Sequence, residues 1–124
     1  MIIKALSVRQ PYASLIATGT KTIETRSRNT KYRGSLVICS TAKPTIGITG
    51  MALCIVDLVD VVLMSRKYLT AACLDSVGFQ YGWVLENIRE IKSFPVKGNL
   101  GIYNIDIKNS LMTTGADLVE EVQG

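Results

Sequence analysis

At 124 residues, with 48% apolar and 19% charged side chains, the chain has the composition of one globular domain and not of a disordered segment. It contains no histidine, and its three cysteines, Cys39, Cys54 and Cys73, are widely spaced with no CxxC pair; this excludes a histidine-based triad and argues against zinc or any other bound metal. The net charge of +4 is unevenly spread: residues 1–43 hold eight cations against one acid, Glu24, residues 44–109 balance, and the last fifteen carry Asp117, Glu120 and Glu121 with no cation.

A basic excess confined to one third of the chain suggests a surface patch for an anionic partner, phosphate before others; the alternative is an uneven solubilising surface. The longest apolar run, 51–64, is broken by Asp57 and Asp60 and is too short to span a bilayer, so no membrane association is expected. The start, MIIKALSVRQP, lacks the apolar core of a secretory signal. Cysteines in apolar surroundings read as reduced, buried thiols, and the expectation is a cytoplasmic domain with no cofactor.

In chain order, Ile2 to Val8 reads as a strand. Gln10-Pro11 starts a short helix of about two turns, with Tyr12, Leu15 and Ile16 at helical spacing and Gly19 as its stop. Thr22 to Arg26 is a strand rich in β-branched residues, Arg28 to Gly34 a polar loop, and Ser35 to Thr41 a buried strand. Residues 43–50 hold proline and glycines enough to be a connection. Met51 to Leu63 is one long central strand or two joined at a bulge. Ser65 can cap a helix running to about Ser76, with Gly78 beyond it. Tyr81 to Ile91 is the next strand, Pro95 to Gly98 a turn, and Leu100 to Ile107 the last strand. The domain is expected over 1–109, with 110–124 an acidic C-terminal tail. Such short strands with two short helices do not alternate as βαβ units; an α+β fold built on a small barrel of five to six strands fits the order.

The chemistry concentrates between Leu6 and Ser27. Residues two apart on a strand share a face, so Glu24 and Arg26 project together, and Lys21 sits where the helix turns into that strand. Three such groups line a cleft, or else form a surface ion pair of little consequence. The two cations hold Glu24 ionised and Lys21 charged unless burial outweighs their pairing. Asp57 and Asp60, three apart on a strand, are expected on opposite faces and therefore not as a paired-carboxylate site. Trp83 is expected in the core, and Lys97 in a turn.

The segment resembles the signature of the ASCH domain, within the PUA-like superfamily. The resemblance is carried by Leu6-Ser7 with Gln10-Pro11, by Ala13-Ser14-Leu15, and by Gly19-x-Lys21-x-x-Glu24-x-Arg26-Ser27. It continues through Tyr32-Arg33-Gly34, Thr41-Ala42-Lys43, the stretch Val56 to Asp60, and Phe94 to Asn99. Where the family commonly has tryptophan, after Gln-Pro and shortly after Arg-Ser, this chain has Tyr12 and Arg28, both able to stack on a base. The resemblance implies a PUA-like β-barrel whose cleft faces RNA or a nucleoside, with ligand-binding residues Gln10, Pro11, Tyr12, Lys21, Glu24, Arg26, Arg28 and Arg33, and Lys31 nearby. Some compact relatives deacylate N4-acetylcytidine with a matching lysine and a threonine where Glu24 stands here. An amidohydrolase or ribonuclease using Lys21 and Glu24 is thus the alternative, with Asp75 a weak candidate for a second acid. A third reading is a protein-interaction module.

Overall fold

A computed structural model describes residues 1–78 and 80–107 of the chain. Six strands form one sheet: β1 (Ile2–Val8), β2 (Ile23–Arg26), β3 (Gly34–Ser40), β4 (Met51–Leu63), β5 (Tyr81–Pro95) and β6 (Ile102–Asp106), in the order β2-β5-β4-β3-β1-β6. All neighbours are antiparallel except β1 and β3. Among the described residues there are two short helices, α1 (Tyr12–Ala17) and α2 (Leu69–Ala72), the second preceded by a 3-10 turn at Arg66–Tyr68. The acidic segment 110–124, expected to lie apart from the domain, falls outside the described residues.

Alternation along the strands divides the core between the two faces. Leu6, Val8, Leu36, Ile38, Val56, Leu58, Trp83 and Leu85 pack with Ala13 and Ile16 of α1 on the inner face. On the other face Ala5, Val37, Cys39, Ala52, Ile55, Ile91 and Ile107 form a second cluster. Strand β5 serves both because a bulge turns it over. Asp57 pairs with Glu86 but Ile55 with Arg89, so β5 holds one extra residue there, and Asn87 takes a φ of +56°. Before the bulge Trp83 and Leu85 face inward; beyond it Ile91, at the same parity, faces outward. β4 carries a compensating shift between Leu58 and Asp60. That shift corrects one expectation. Asp57 opposes Glu86 and Asp60 opposes Val84, two residues of one parity on β5, so both aspartates face outward. They still form no paired site, since Asp57 is held by Ser35, Asn87 and Arg89 while Asp60 accepts only the Val61 amide.

The sheet curls strongly. β2 and β1 are four places apart in it, about 19 Å on a flat sheet. Yet Arg26 Nη2 on β2 donates to the Ser7 carbonyl of β1 at 2.6 Å. The ring is left open between the free edge of β2 and the end of β1 that extends past its pairing with β6, and a side chain instead of a backbone ladder bridges the seam, giving a half-barrel plugged by α1.

Two elements differ from expectation. β5 continues past Ile91 to Pro95 because the start of β4 remains free to pair with it, Ala52 opposing Phe94 and Met51 opposing Pro95. The helix expected to reach Ser76 ends at Ala72, because Cys73 turns left-handed at φ +56°. The carbonyls that a longer helix would use internally are taken: Ala71 O accepts the Thr22 amide and Ala72 O accepts Lys21 Nζ. Cys39 and Cys54 are buried, unpaired thiols; burial pushes them up to about 11 and about 12 respectively, which leaves them unreactive at neutral pH.

Candidate functional site

The open seam is a cleft of about 540 Å³, within the range of small-ligand sites. Its walls are the ends of β1 (Ser7, Val8, Arg9), the edge strand β2 (Glu24 to Ser27), Tyr12 of α1, and Asn99 to Gly101 ahead of β6. Lys21 closes its inner end, with Thr41, Leu74 and Gln80 at its margins.

The local sequence explains how Lys21 gets there. Gly19, at φ +82°, reverses the chain out of α1, and the Lys21 amide bonds back to Leu15 O at 3.0 Å. The side chain then runs inward and is only 2% exposed. Its ammonium donates to the Ala72 carbonyl, lies 3.8 Å from Glu24 Oε1 and stands 5.0 Å above the Tyr12 ring. Glu24, 7% exposed, also has Arg26 Nε 3.1 Å from its Oε2. Glu24 and Arg26 share the inner face of β2, opposite Trp83 and Tyr81. The Arg26 guanidinium lies 5.9 Å from the Trp83 ring, whose Nε1 donates to the Arg28 carbonyl at 3.1 Å. Trp83 is 4% exposed, a core residue that backs the site without lining it.

Burial dominates the electrostatics. It lowers the Lys21 ammonium below its ordinary value, against the raising influences of Glu24 and Cys73. It raises the Glu24 carboxyl above its ordinary value, against the lowering pull of Arg26 and then Lys21. Both groups are therefore pushed towards neutrality, and the pairing that the sequence suggests would keep them charged is the weaker influence.

The remaining expected residues are placed differently. Gln10 is 3% exposed, but its side chain is spent on structure: Oε1 accepts the Ser14 amide at 2.9 Å, and Nε2 donates to Ser14 Oγ and to the Ile48 carbonyl, each at 2.7 Å. Pro11 is exposed at the start of α1 and outside the cleft lining. Arg28 and Lys31 are exposed beyond the rim, and Arg33 is folded onto the Thr30 and Tyr32 carbonyls at 2.9 and 2.8 Å. Asp75 is exposed and outside the lining. The lining residues that sequence reasoning did not assign to the site are chiefly Ser7, Arg9, Thr41, Asn99 and Leu100. Ser7, Thr41 and Asn99 stand within the motif pieces, but only the seam brings them together. Among the described residues no three candidate metal ligands cluster, and no helix is long and apolar enough to cross a membrane.

A curled six-stranded sheet with few short helices and a side cleft beside α1 defines the PUA-like half-barrel class. Residues 6–95 match the ASCH domain, and the chain belongs to that family. The chain is 31% identical, over a 131-residue alignment covering 83% of it, to human activating signal cointegrator 1, of whose length it spans 22%. The fold is similar to that of ASCH from Zymomonas mobilis, with a TM-score of 0.66 and 15% identity over 83% of this chain and 87% of that one. A point mutant of the same Zymomonas protein superposes with a TM-score of 0.64 at 16% identity, over the same 83% and 87%.

Proposed function

We propose that the cleft binds single-stranded RNA by seating one nucleoside within it. The observation that carries this is the order of charges. Among the described residues Glu24 is the only acid lining the cleft and sits buried beside Lys21, while Arg9 and Arg26 also line it. A phosphate at the inner end would meet a carboxylate. A nucleobase instead offers N–H donors to Glu24 and a carbonyl to Lys21, with the Tyr12 ring as a stacking surface. Arg9 and Arg26, with the exposed Arg28 and Lys31, then serve the backbone phosphates.

Calorimetric titration with single nucleosides and short RNAs tests this. Glu24→Gln is expected to weaken nucleoside binding by about tenfold or more, because one acceptor oxygen becomes an N–H donor and the charge that strengthens the bond is removed. Tighter binding by that variant would mean that the cleft simply holds phosphate.

A second reading is favoured by one observation, the burial of Lys21 and Glu24 side by side, 3.8 Å apart, which pushes both towards neutrality and suits proton transfer. The site would then hydrolyse an acylated cytidine or an RNA phosphodiester. Turnover of N4-acetylcytidine, followed by ultraviolet absorbance, and RNA cleavage test it. Lys21→Ala and Glu24→Gln would each lower either rate by about two orders of magnitude.

A further inference from the structure

The cleft does not end at the seam. A second hollow of about 450 Å³ shares Ser7, Thr41, Asn99 and Leu100 with it, so the two form one trough on either side of a common wall. The second part is chemically different. It is lined further by Ser40, Ala42, Gly50, Val96 and Gly98, and among the described residues no charged side chain lines it. Its floor is left low by glycine: a Cβ added at Gly50 would meet nothing within 4 Å, and one at Gly98 would come to 3.0 Å from Ser7 Oγ. Leu100 stands on the shared wall and is 98% exposed, the most exposed large apolar side chain among the described residues. Lys43 and Lys97, both exposed, each adjoin a residue of this lining in sequence.

We infer that the trough is a two-nucleotide site, in which the second hollow takes the nucleotide adjoining the one seated beside Lys21 and Glu24. This rests on the nucleoside reading given above. The occupant follows from chemistry. The two spaces share Ser7, Thr41, Asn99 and Leu100, so a ligand seated in the first can extend into the second. Its inserted part must be neutral with an apolar face, to suit a surface of Ala42, Val96, glycines and hydroxyls already bonded within the protein. It must also bring a negative charge, which Arg9 of the first part and the exposed Lys43 and Lys97, next in sequence to lining residues, can meet. A nucleobase and ribose joined through a phosphodiester meet all three conditions. Leu100 then serves as a divider against which a base packs, covering apolar surface that is otherwise left in water.

The test compares the full chain binding a nucleoside, the matching dinucleoside monophosphate and a trinucleotide by calorimetry. The dinucleotide is expected to bind about tenfold or more tighter than the nucleoside, with little further gain from the third residue. Ala42→Glu places a bulky anion in the second hollow only, and is expected to reduce dinucleotide affinity to that of the nucleoside. Lys97→Glu, an exposed substitution with little bearing on folding, is expected to reduce it about threefold to tenfold. A dinucleotide no tighter than the nucleoside, or one unaffected by both substitutions, overturns the two-nucleotide site and leaves the nucleoside reading standing. Failure of every ligand to bind the unaltered chain overturns both.

Discussion

Lys21 and Glu24 show what a single residue's surroundings can and cannot disclose in advance. That Glu24 and Arg26 share a face follows from the period of a strand, and β2 obeys it. That Lys21 is buried does not follow from anything nearby, because its acceptor, the Ala72 carbonyl, lies 51 residues further on. Gln10 misleads for a related reason: its amide looks free in the sequence but is consumed by Ser14 and by Ile48, 38 residues away. The buried pair has two measurable consequences. Glu24→Gln leaves the Lys21 charge inside the protein, held by the Ala72 carbonyl, and is expected to cost about 3 kcal/mol in urea denaturation, whereas Lys21→Met leaves Glu24 still paired with Arg26 and should cost less. The double variant should cost clearly less than their sum, and strict additivity would show that the two groups do not interact. The second consequence is pH dependence. Glu24 is raised above 4.5 in the folded state, so the folded form binds its proton more tightly. Its contribution is fully present below 4.5 and is lost as pH rises through the raised value. Lys21 is lowered from 10.5, so between its folded value and 10.5 the unfolded form binds more protons, and stability rises with pH. Subtracting the Glu24→Gln profile from that of the unaltered chain should isolate the acid-side fall; a flat difference would mean that Glu24 titrates normally.

Elements were legible where one face decides them and less so where geometry must switch. β1 could be placed from its apolar pattern to the residue, and α1 with its Gly19 stop nearly so. The bulges were harder. Asn87 gives no more than the weak hint that asparagine tolerates a left-handed backbone. Its role depends on the register against β4, where Ile55 and Asp57 oppose residues three apart on β5. That single inserted residue lets β5 give Trp83 to one core and Ile91 to the other. Asn87 also ties itself down, its Nδ2 donating to Asp57 Oδ2 at 3.0 Å. Asn87→Gly should therefore cost no more than about 1 kcal/mol, since glycine accepts the backbone and only the hydrogen bond is lost. Asn87→Val places a β-branched side chain at φ +56° and is expected to cost about 2 kcal/mol or more in the same denaturation series. Equal stabilities for the two variants would remove the bulge from its place as the turning point of the strand.

At the scale of the whole molecule, the seam is what the sequence hides. Strand count and order suggest a barrel, but which pair stays unclosed is decided by the 4-residue length of β2 and the 6-residue helix plugging the interior. Because the opening lies between β2 and the end of β1, the basic third of the chain supplies both of these walls. That arrangement separates the cations into two kinds. Lys21 is already engaged by Ala72 and Glu24 and has no counterion to release on binding. Arg9, Arg28 and Lys31 are exposed to solvent and can release theirs. If three or four phosphates are neutralised, the logarithm of the RNA affinity should fall with the logarithm of salt at a slope of roughly −2 to −3. Arg28→Ala and Lys31→Ala should each flatten that slope by about 0.7, the amount for one phosphate on a single strand. Lys21→Ala should lower affinity while leaving the slope unchanged, since in the proposed mode its contact is to a base and not to the backbone. A Lys21→Ala slope flattened as much as that of Arg28→Ala would move the lysine from base to phosphate, and the charge order of the cleft would have to be read the other way.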